Sequence, residues 1–256
     1  MITGIDHIVF AVQDLDDAIK TYHNLGFTVV EGGKHPTGSY NALMGFQDGS
    51  YVEILAFYEE SLNHPWWDLL HKRGGGLIDF CMQTDDIRAD HQQLRNQGVE
   101  MSDIVDLSRA RPDGYQLEWI NNKTYGKYQG VIPFIIEDKT PREERLPKDN
   151  VHDNGVTGID TITLITRDVE LPKTIMSTVL DNVATAVIRQ DLTASGIRFD
   201  VGTHTLEYLA PDDDSSPLHA LLTNNAPVPY EVSFKTDGEK QTFNPEQAEG
   251  VRLSLI

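Results

Sequence analysis

The first run of the chain, from Thr3 to Val12, sets Ile5 between small and polar neighbours and continues as an apolar stretch from Ile8, as a strand would, and then the period changes. From Asp14 onward, Leu15, Ala18, Ile19 and Tyr22 recur at helical spacing until Gly26 ends the pattern. A period of two belongs to a half-buried strand, and a period near 3.6 to an amphipathic helix. Asp14 has the side chain an N-cap needs, and Gly26 the conformational freedom of a C-terminal stop. The chain therefore opens as a strand leading into a helix.

The same layout returns further on. A shift of 72 residues lays Gly4 on Gly76, Asp14 on Asp86, Leu15 on Ile87, Tyr22 on Leu94 and Gly26 on Gly98, without a gap. A shift of 154 lays Gly4 on Gly158 and Asp14 on Asp168, and a fainter copy runs through VPYEVSFKTDG with Thr236-Asp237 on Thr84-Asp85. The far ends of the units repeat too. DGSYVEIL from Asp48 superposes on DGYQLEWI from Asp113 and puts Glu53 on Glu118, while THTLEYL offers Glu207 and GVRLSLI offers Ser254 there. Each full unit reads as a strand, a helix, then two or three strands joined by Gly-containing turns; the last is too short for a helix. The expected class is α+β, built from paired βαβββ modules. A first domain would cover 1–138 (modules 1–72 and 73–138), a Pro- and charge-rich linker 139–155, and a second, degenerate module pair 156–256.

Composition narrows the partners. The 256 residues carry 40 Asp+Glu against 21 Lys+Arg, a formal charge of −19. A surface this acidic repels nucleic-acid phosphates and anionic membranes. No apolar run reaches bilayer-spanning length, and the N-terminus lacks the layout of a secretory signal. The single cysteine, Cys81, leaves neither an internal disulfide nor a multi-cysteine zinc site, so the expected compartment is cytoplasmic.

Strand register then selects candidate chemistry, because alternate side chains share a face. One repeat position carries His7, Asp79, Thr161 and Glu231; the other carries Glu53, Glu118, Glu207 and Ser254. Pairing of the first two units about a pseudo-twofold axis would gather His7, Asp79, Glu53 and Glu118. Carboxylates crowded together without a cation repel one another. One imidazole with three carboxylates suits Mn, Ni, Co, Fe(II) or Mg and leaves coordination positions open for substrate. The alternative for His7 is a histidine hydrogen-bonded within a sheet, and for Asp79 and Glu118 a turn cap or a solvent-facing strand end.

The segments carrying this pattern are Asp6-His7 with its strand, the strand through Glu53, the strand through Glu118, the run RARPDG from Arg109 to Gly114, and Pro133-Phe134-Ile135. Together they resemble the vicinal oxygen chelate superfamily, and within it the glyoxalase-like domain proteins. The resemblance is clear over roughly 1–138 and weak over 156–256. It implies half-open, curled sheets around a metal or ligand site, with a histidine on the first strand and a glutamate on the last strand of each unit as ligands. His7, Glu53 and Glu118 match those positions; Asp79 stands where a second histidine or a glutamine is common. With one histidine in register, the dioxygenase chemistry of the superfamily is disfavoured. Glyoxalase-type isomerisation or lysis of a small oxygenated metabolite is the expected activity, with Glu53 or Glu118 moving the proton.

Other residues bear on the ligand. Arg109 and Arg111 could grip a substrate carboxylate bidentately, or form a solvated basic edge. The segment NHPWWDLL, started as a helix by Pro65, offers Trp66 and Trp67, which project about 100° apart and so would not both face one pocket. Tyr40 is a further stacking surface. His64, His71 and His152 lie out of register and read as surface residues, Cys81 as a small buried hydrophobe, and Gly74 to Gly76 as a strand entry and not a phosphate loop. The alternative function is non-catalytic binding like that of the drug-sequestering members of the superfamily. An acidic, metal-free pocket would then favour a cationic ligand. Either reading allows a homodimer.

Overall fold

The computed structural model describes residues 2–62, 64–222 and 226–256. Asn63, the first residue of the tryptophan-bearing segment, lies outside the described residues. In chain order the first half contains β1 (Ile2–Ala11), α1 (Leu15–Asn24), β2 (Val30–Lys34), β3 (Ser39–Gly45), β4 (Tyr51–Phe57), α2 (Pro65–Arg73), β5 (Gly76–Thr84), α3 (Ile87–Asn96), β6 (Val105–Ala110), β7 (Gln116–Asn122) and β8 (Phe134–Asp138). A short helix α4 (Arg142–Arg145) precedes β9 (Val156–Ile165), α5 (Glu170–Val179), β10 (Thr185–Arg189), β11 (Ala194–Val201), β12 (His204–Pro211), β13 (Val228–Thr236), β14 (Gln241–Phe243) and β15 (Arg252–Leu255). The class is α+β with curled sheets, as the repeats imply.

Helix starts follow local chemistry. Asp14 caps α1 by accepting from the Asp17 N–H, and its repeat mate Asp86 caps α3 by accepting from the Ala89 N–H. Both helices bury the apolar face that the sequence periodicity marks, through Leu15, Ala18 and Tyr22 in one and Ile87 and Leu94 in the other.

The first two units close a barrel in the order β1-β4-β3-β2-β6-β7-β8-β5, while the last two form an open seven-stranded sheet, β10-β11-β12-β9-β13-β15-β14. In every unit the first strand pairs in parallel with the last: β1 with β4, β5 with β8, β9 with β12, and β13 with β15. Those registers set Glu53 beside Val9, Phe134 beside Cys81, Glu207 beside Thr163 and Ser254 beside Ser233. Since Val9, Cys81, Thr163 and Ser233 are repeat mates, the true equivalent of Glu53 in the second unit is Phe134. Glu118 sits on β7, the third strand of its unit, opposite Ser108.

Two apolar layers result. The outer faces of the barrel strands, α1, α3 and the inner face of the second sheet share one core that includes Phe10, Tyr22, Phe27, Phe46, Tyr208 and Phe234. Phe46 and Phe234 meet at 5.3 Å, and the Tyr208 hydroxyl donates to the Val131 carbonyl, so the two halves are packed together. The barrel interior is lined by Val9, Leu55, Ile78, Cys81, Leu117, Trp119, Phe134 and Ile136, with Leu70 of α2 covering one side.

Candidate functional site

The barrel interior is not filled. A cavity of about 470 Å³ opens within it, with His7, His35, Asn41, Tyr51, Glu53 and Arg109 at its polar floor and Trp66, Trp119 and Phe134 among its walls. Glu53 points inward from β4 and is 7% exposed; His7 points inward from β1 and is 4% exposed.

Glu53 is the hub. Its Oε1 accepts from Asn41 Nδ2 at 2.6 Å, and Asn41 Oδ1 accepts in turn from Arg109 Nη1 at 3.0 Å. His7 Nε2 lies 3.7 Å from Glu53 Oε2, and His35 Nε2 lies 3.8 Å from Oε1. Both separations exceed a hydrogen bond. Burial works to raise the Glu53 pKa, but His35, His7, Asn41 and Arg109 outweigh it and hold the carboxyl below its usual range. Glu53 is therefore an ionised carboxylate in a mostly apolar enclosure. Burial, opposed by Glu53 and reinforced by Arg109, lowers the pKa of His35, so its imidazole is neutral near pH 7.

His7 is oriented from behind. Its Nδ1 lies 2.5 Å from Asp6 Oδ1. An ionised Asp6 can only accept, so Nδ1 carries a proton and Nε2 is the nitrogen turned toward Glu53. Asp6 is fully buried and is gripped by Arg145, whose Nη1 and Nη2 reach its two oxygens at 2.9 and 2.8 Å, and by Arg142. Burial alone would raise the Asp6 pKa; Arg145 and His7 reverse that and pull it well down. Arg145 also donates to Asp138 and to the Tyr51 hydroxyl, and Tyr51 stacks on the His7 ring at 4.6 Å. Residues 139–155 thus contribute a helix whose arginines close the barrel beneath His7.

The remaining sequence candidates fall in separate places. Asp79 lies on β5 opposite Val9, and its Oδ2 accepts from the indole N–H of Trp66 at 3.0 Å. Burial raises its pKa, against the pull of Trp66 and the Phe80 N–H. Glu118 is exposed on the outside of β7, whose inward side chains are Leu117, Trp119 and Asn121. It does not join His7 and Glu53. Arg109 lines the cavity; Arg111 is outside it, bound to Asp113 and Glu144. Trp66 walls the cavity, whereas Trp67 packs on Phe57 and His71. Tyr40 lines a separate, smaller depression with Leu15 and Arg111.

Asn41, Tyr51, Arg145 and three histidines take places that the sequence pattern does not mark, although the last of the three, His152, stands outside the cavity lining. His35 sits just past the end of β2, outside the repeat, and only the hairpin geometry brings it to Glu53. His64 caps α2 and lines the cavity; burial first, then Lys123, lowers its pKa to about 4. His152 is buried, accepting from the Thr28 N–H and bonding the Gly45 carbonyl.

The metal question turns on this donor set. Among the described residues, Asp6, His7 and Cys81 have ligand atoms within 4.8 Å of one another. Asp6 is consumed by arginines and His7, and burial raises the Cys81 thiol pKa well above its ordinary value, so this trio is a poor ligand set. His7, Glu53 and His35 have the better donor chemistry, two imidazole nitrogens either side of a carboxylate, with a carboxylate behind His7 as is typical of ligating histidines. Their ligand atoms do not all lie within 4.8 Å of one another, so an ion bound there would draw the two imidazoles together. Phe134 supplies no ligand atom where Glu53 has one in the first unit.

Comparison with known proteins agrees with this fold. Residues 5–180 match the family described as the glyoxalase-like domain. The chain belongs to that family, within the vicinal oxygen chelate superfamily. No curated protein matches it in sequence. Among solved structures, a hypothetical protein from Staphylococcus aureus superposes with a TM-score of 0.73 at 15% identity, covering 98% of both chains. A mutant of 4-hydroxymandelate synthase from Streptomyces coelicolor gives 0.60 at 15% identity, covering 93% of this chain and 72% of that one. A xylose isomerase-like TIM barrel/4-hydroxyphenylpyruvate dioxygenase fusion protein gives 0.55 at 16% identity, covering 93% of this chain and 37% of that one. At such identities these likenesses describe the fold alone.

Proposed function

We propose that the barrel cavity catalyses metal-assisted proton transfer at a carbon next to a carbonyl, as an isomerase or lyase of the glyoxalase-like kind acting on a small oxygenated metabolite. The observation that carries this reading is Glu53: a buried carboxylate held ionised, flanked by two imidazole nitrogens, at the floor of a cavity of about 470 Å³. A divalent ion held by His7, Glu53 and His35 would polarise the substrate carbonyl and so acidify its neighbouring C–H bond.

The protein's own part is base catalysis and positioning. Asn41 holds Oε1 of Glu53 and leaves Oε2 the freer oxygen to take the proton from carbon. The electrons of that C–H bond move into an enolate, or an enediolate where that carbon bears a hydroxyl. Return of the proton to a carbon gives the isomer; loss of a neighbouring leaving group gives the lyase product. Trp66, Trp119 and Phe134 exclude water from the reacting atoms.

The test is solvent exchange. Protein supplied with Mn, Co or Ni and incubated in D₂O with pyruvate, 2-oxobutanoate and dihydroxyacetone should place deuterium at the carbon beside the carbonyl, followed by proton NMR. Glu53→Gln should slow this at least 100-fold. Equal exchange in the variant would remove Glu53 from the reaction. A second reading, ligand sequestration without chemistry, draws on Phe134 at the place of the second unit's glutamate and on Asp79 being bonded to Trp66. Ligand binding with no exchange in any metal form would favour it.

A further inference from the structure

Arg109 is a buried cation with little to neutralise it. It is 4% exposed and lines the cavity, yet its one hydrogen bond is to Asn41, and no carboxylate lies within ion-pair distance of it among the described residues. The contrast with Arg145 is direct, since that guanidinium is saturated by Asp6 and Asp138. A guanidinium carries five donors, so most of those on Arg109 face the cavity without a partner. A buried charge in that state is costly until an anion reaches it.

A second group is unsatisfied further along the same wall. Asn121 is 5% exposed and lines the cavity; its Oδ1 is sealed off and without a hydrogen-bond partner, which leaves the Nδ2 amide as the polar group it turns to the open space. Arg109 pairs with Leu117 across the β6–β7 ladder, and Asn121 pairs with Val105. Four residues of strand therefore separate the two positions, about 13 Å between their backbones. Trp119 stands between them on the same inward face of β7.

We infer that the cavity takes an elongated, planar carboxylate whose anionic end docks on Arg109, whose body stacks on Trp119, and whose far end presents a hydroxyl or carbonyl oxygen to the Asn121 Nδ2 donor. This rests on the cavity being the reaction site and names the class of molecule that reaches Glu53. It replaces the cationic ligand expected of an acidic, metal-free pocket: among the described residues Arg109 has no carboxylate in direct contact and is linked to Glu53 only through Asn41. Gly32 keeps the arrangement open, since a Cβ there would collide with Asn41 Oδ1 and Arg109 Nη1.

The test is equilibrium binding of benzoate, 4-hydroxybenzoate, benzamide and benzylamine to the full chain, read by tryptophan fluorescence and calorimetry. Benzoate should bind at least tenfold more tightly than benzamide or benzylamine, and 4-hydroxybenzoate more tightly than benzoate. Arg109→Gln should abolish the preference for carboxylate, and Asn121→Leu should abolish the gain from the hydroxyl. Glu53→Gln, which removes the proposed base, should keep both preferences, so binding without deuterium exchange counts against the reaction and not against this inference. Equal binding of benzoate and benzamide by the unmodified protein, or failure of every probe at millimolar concentration, would overturn it. These two comparisons need no variant and hold even where Arg109→Gln does not fold.

Discussion

Glu53 and Phe134 occupy the same position in the two halves of one barrel. Glu53 lies beside Val9 on the parallel β1–β4 pair, and Phe134 lies beside Cys81, the repeat mate of Val9, on the β5–β8 pair. One half thus supplies a carboxylate and the other an aromatic ring, whose edge meets the His7 imidazole at 5.4 Å. Restoring the symmetry is a direct probe. Phe134→Glu should destabilise chelator-treated protein by about 2–5 kcal/mol, because a second carboxylate is buried near Glu53. Added Mn or Co should recover part of that loss in urea denaturation. A variant whose stability ignores metal would argue that the floor of the barrel does not suit a cation.

The Asp6–Arg145 pair is entirely enclosed and supports His7 from behind. Arg145→Met should leave Asp6 and Asp138 short of a partner and cost about 3–5 kcal/mol of unfolding free energy. The pH signature has a defined sign. The Asp6 pKa is held well below its ordinary value of 3.8 in the folded protein, so its contribution is fully present above that value and lost as pH falls through the folded one. In Arg145→Met this acid dependence should shrink, as measured by denaturation midpoints from about pH 5 down to about pH 2.

Histidine titration acts on stability at milder acidity. Burial lowers the pKa of His35, His64 and His152, with His64 reaching about 4. Between those folded values and 6.5 the unfolded chain binds more protons than the folded one, so stability must rise with pH across that window. Replacing His64 by Asn, which can still accept from the Trp66 N–H, should flatten the slope between pH 4 and 6.5. An unchanged slope would place the titration elsewhere.

Gly32 offers a probe that leaves the charges in place. Gly32→Ala puts a methyl group against Asn41 and Arg109, and overpacking of this kind costs about 1–3 kcal/mol. Benzoate affinity should fall at least tenfold while the far-UV circular dichroism is retained. Unaltered affinity would show that Arg109 is not positioned through Asn41.

Much of the barrel was legible because its information is local. The period change at Asp14 and its copy at Asp86 mark two strand–helix units, and both aspartates cap their helices. The exception is Glu118, and its cause is physical. The turns at Phe46–Ser50 and Arg111–Tyr115 make the same pair of backbone hydrogen bonds, so DGSYVEIL and DGYQLEWI look alike. The first turn joins the third and fourth strands of its unit, whereas the second joins the second and third. A turn signal carries no record of which hairpin it closes, and the mistaken hairpin reverses the face. His35 and Arg145 were illegible for a different reason. Each lies outside the repeat and reaches the site only through tertiary folding, one past the end of β2 and the other in the charged stretch after β8.

The central claim is that Glu53 and its flanking imidazoles form one cation-binding, proton-moving centre. Cobalt(II) titration of the chelator-treated protein, read by visible absorption, tests it most directly. The account predicts one cobalt per chain with ligand-field bands that are lost in His7→Ala and Glu53→Gln, weakened in His35→Ala, and unchanged in Glu118→Gln. Bands that persist in His7→Ala and Glu53→Gln, or that vanish in Glu118→Gln, would contradict it.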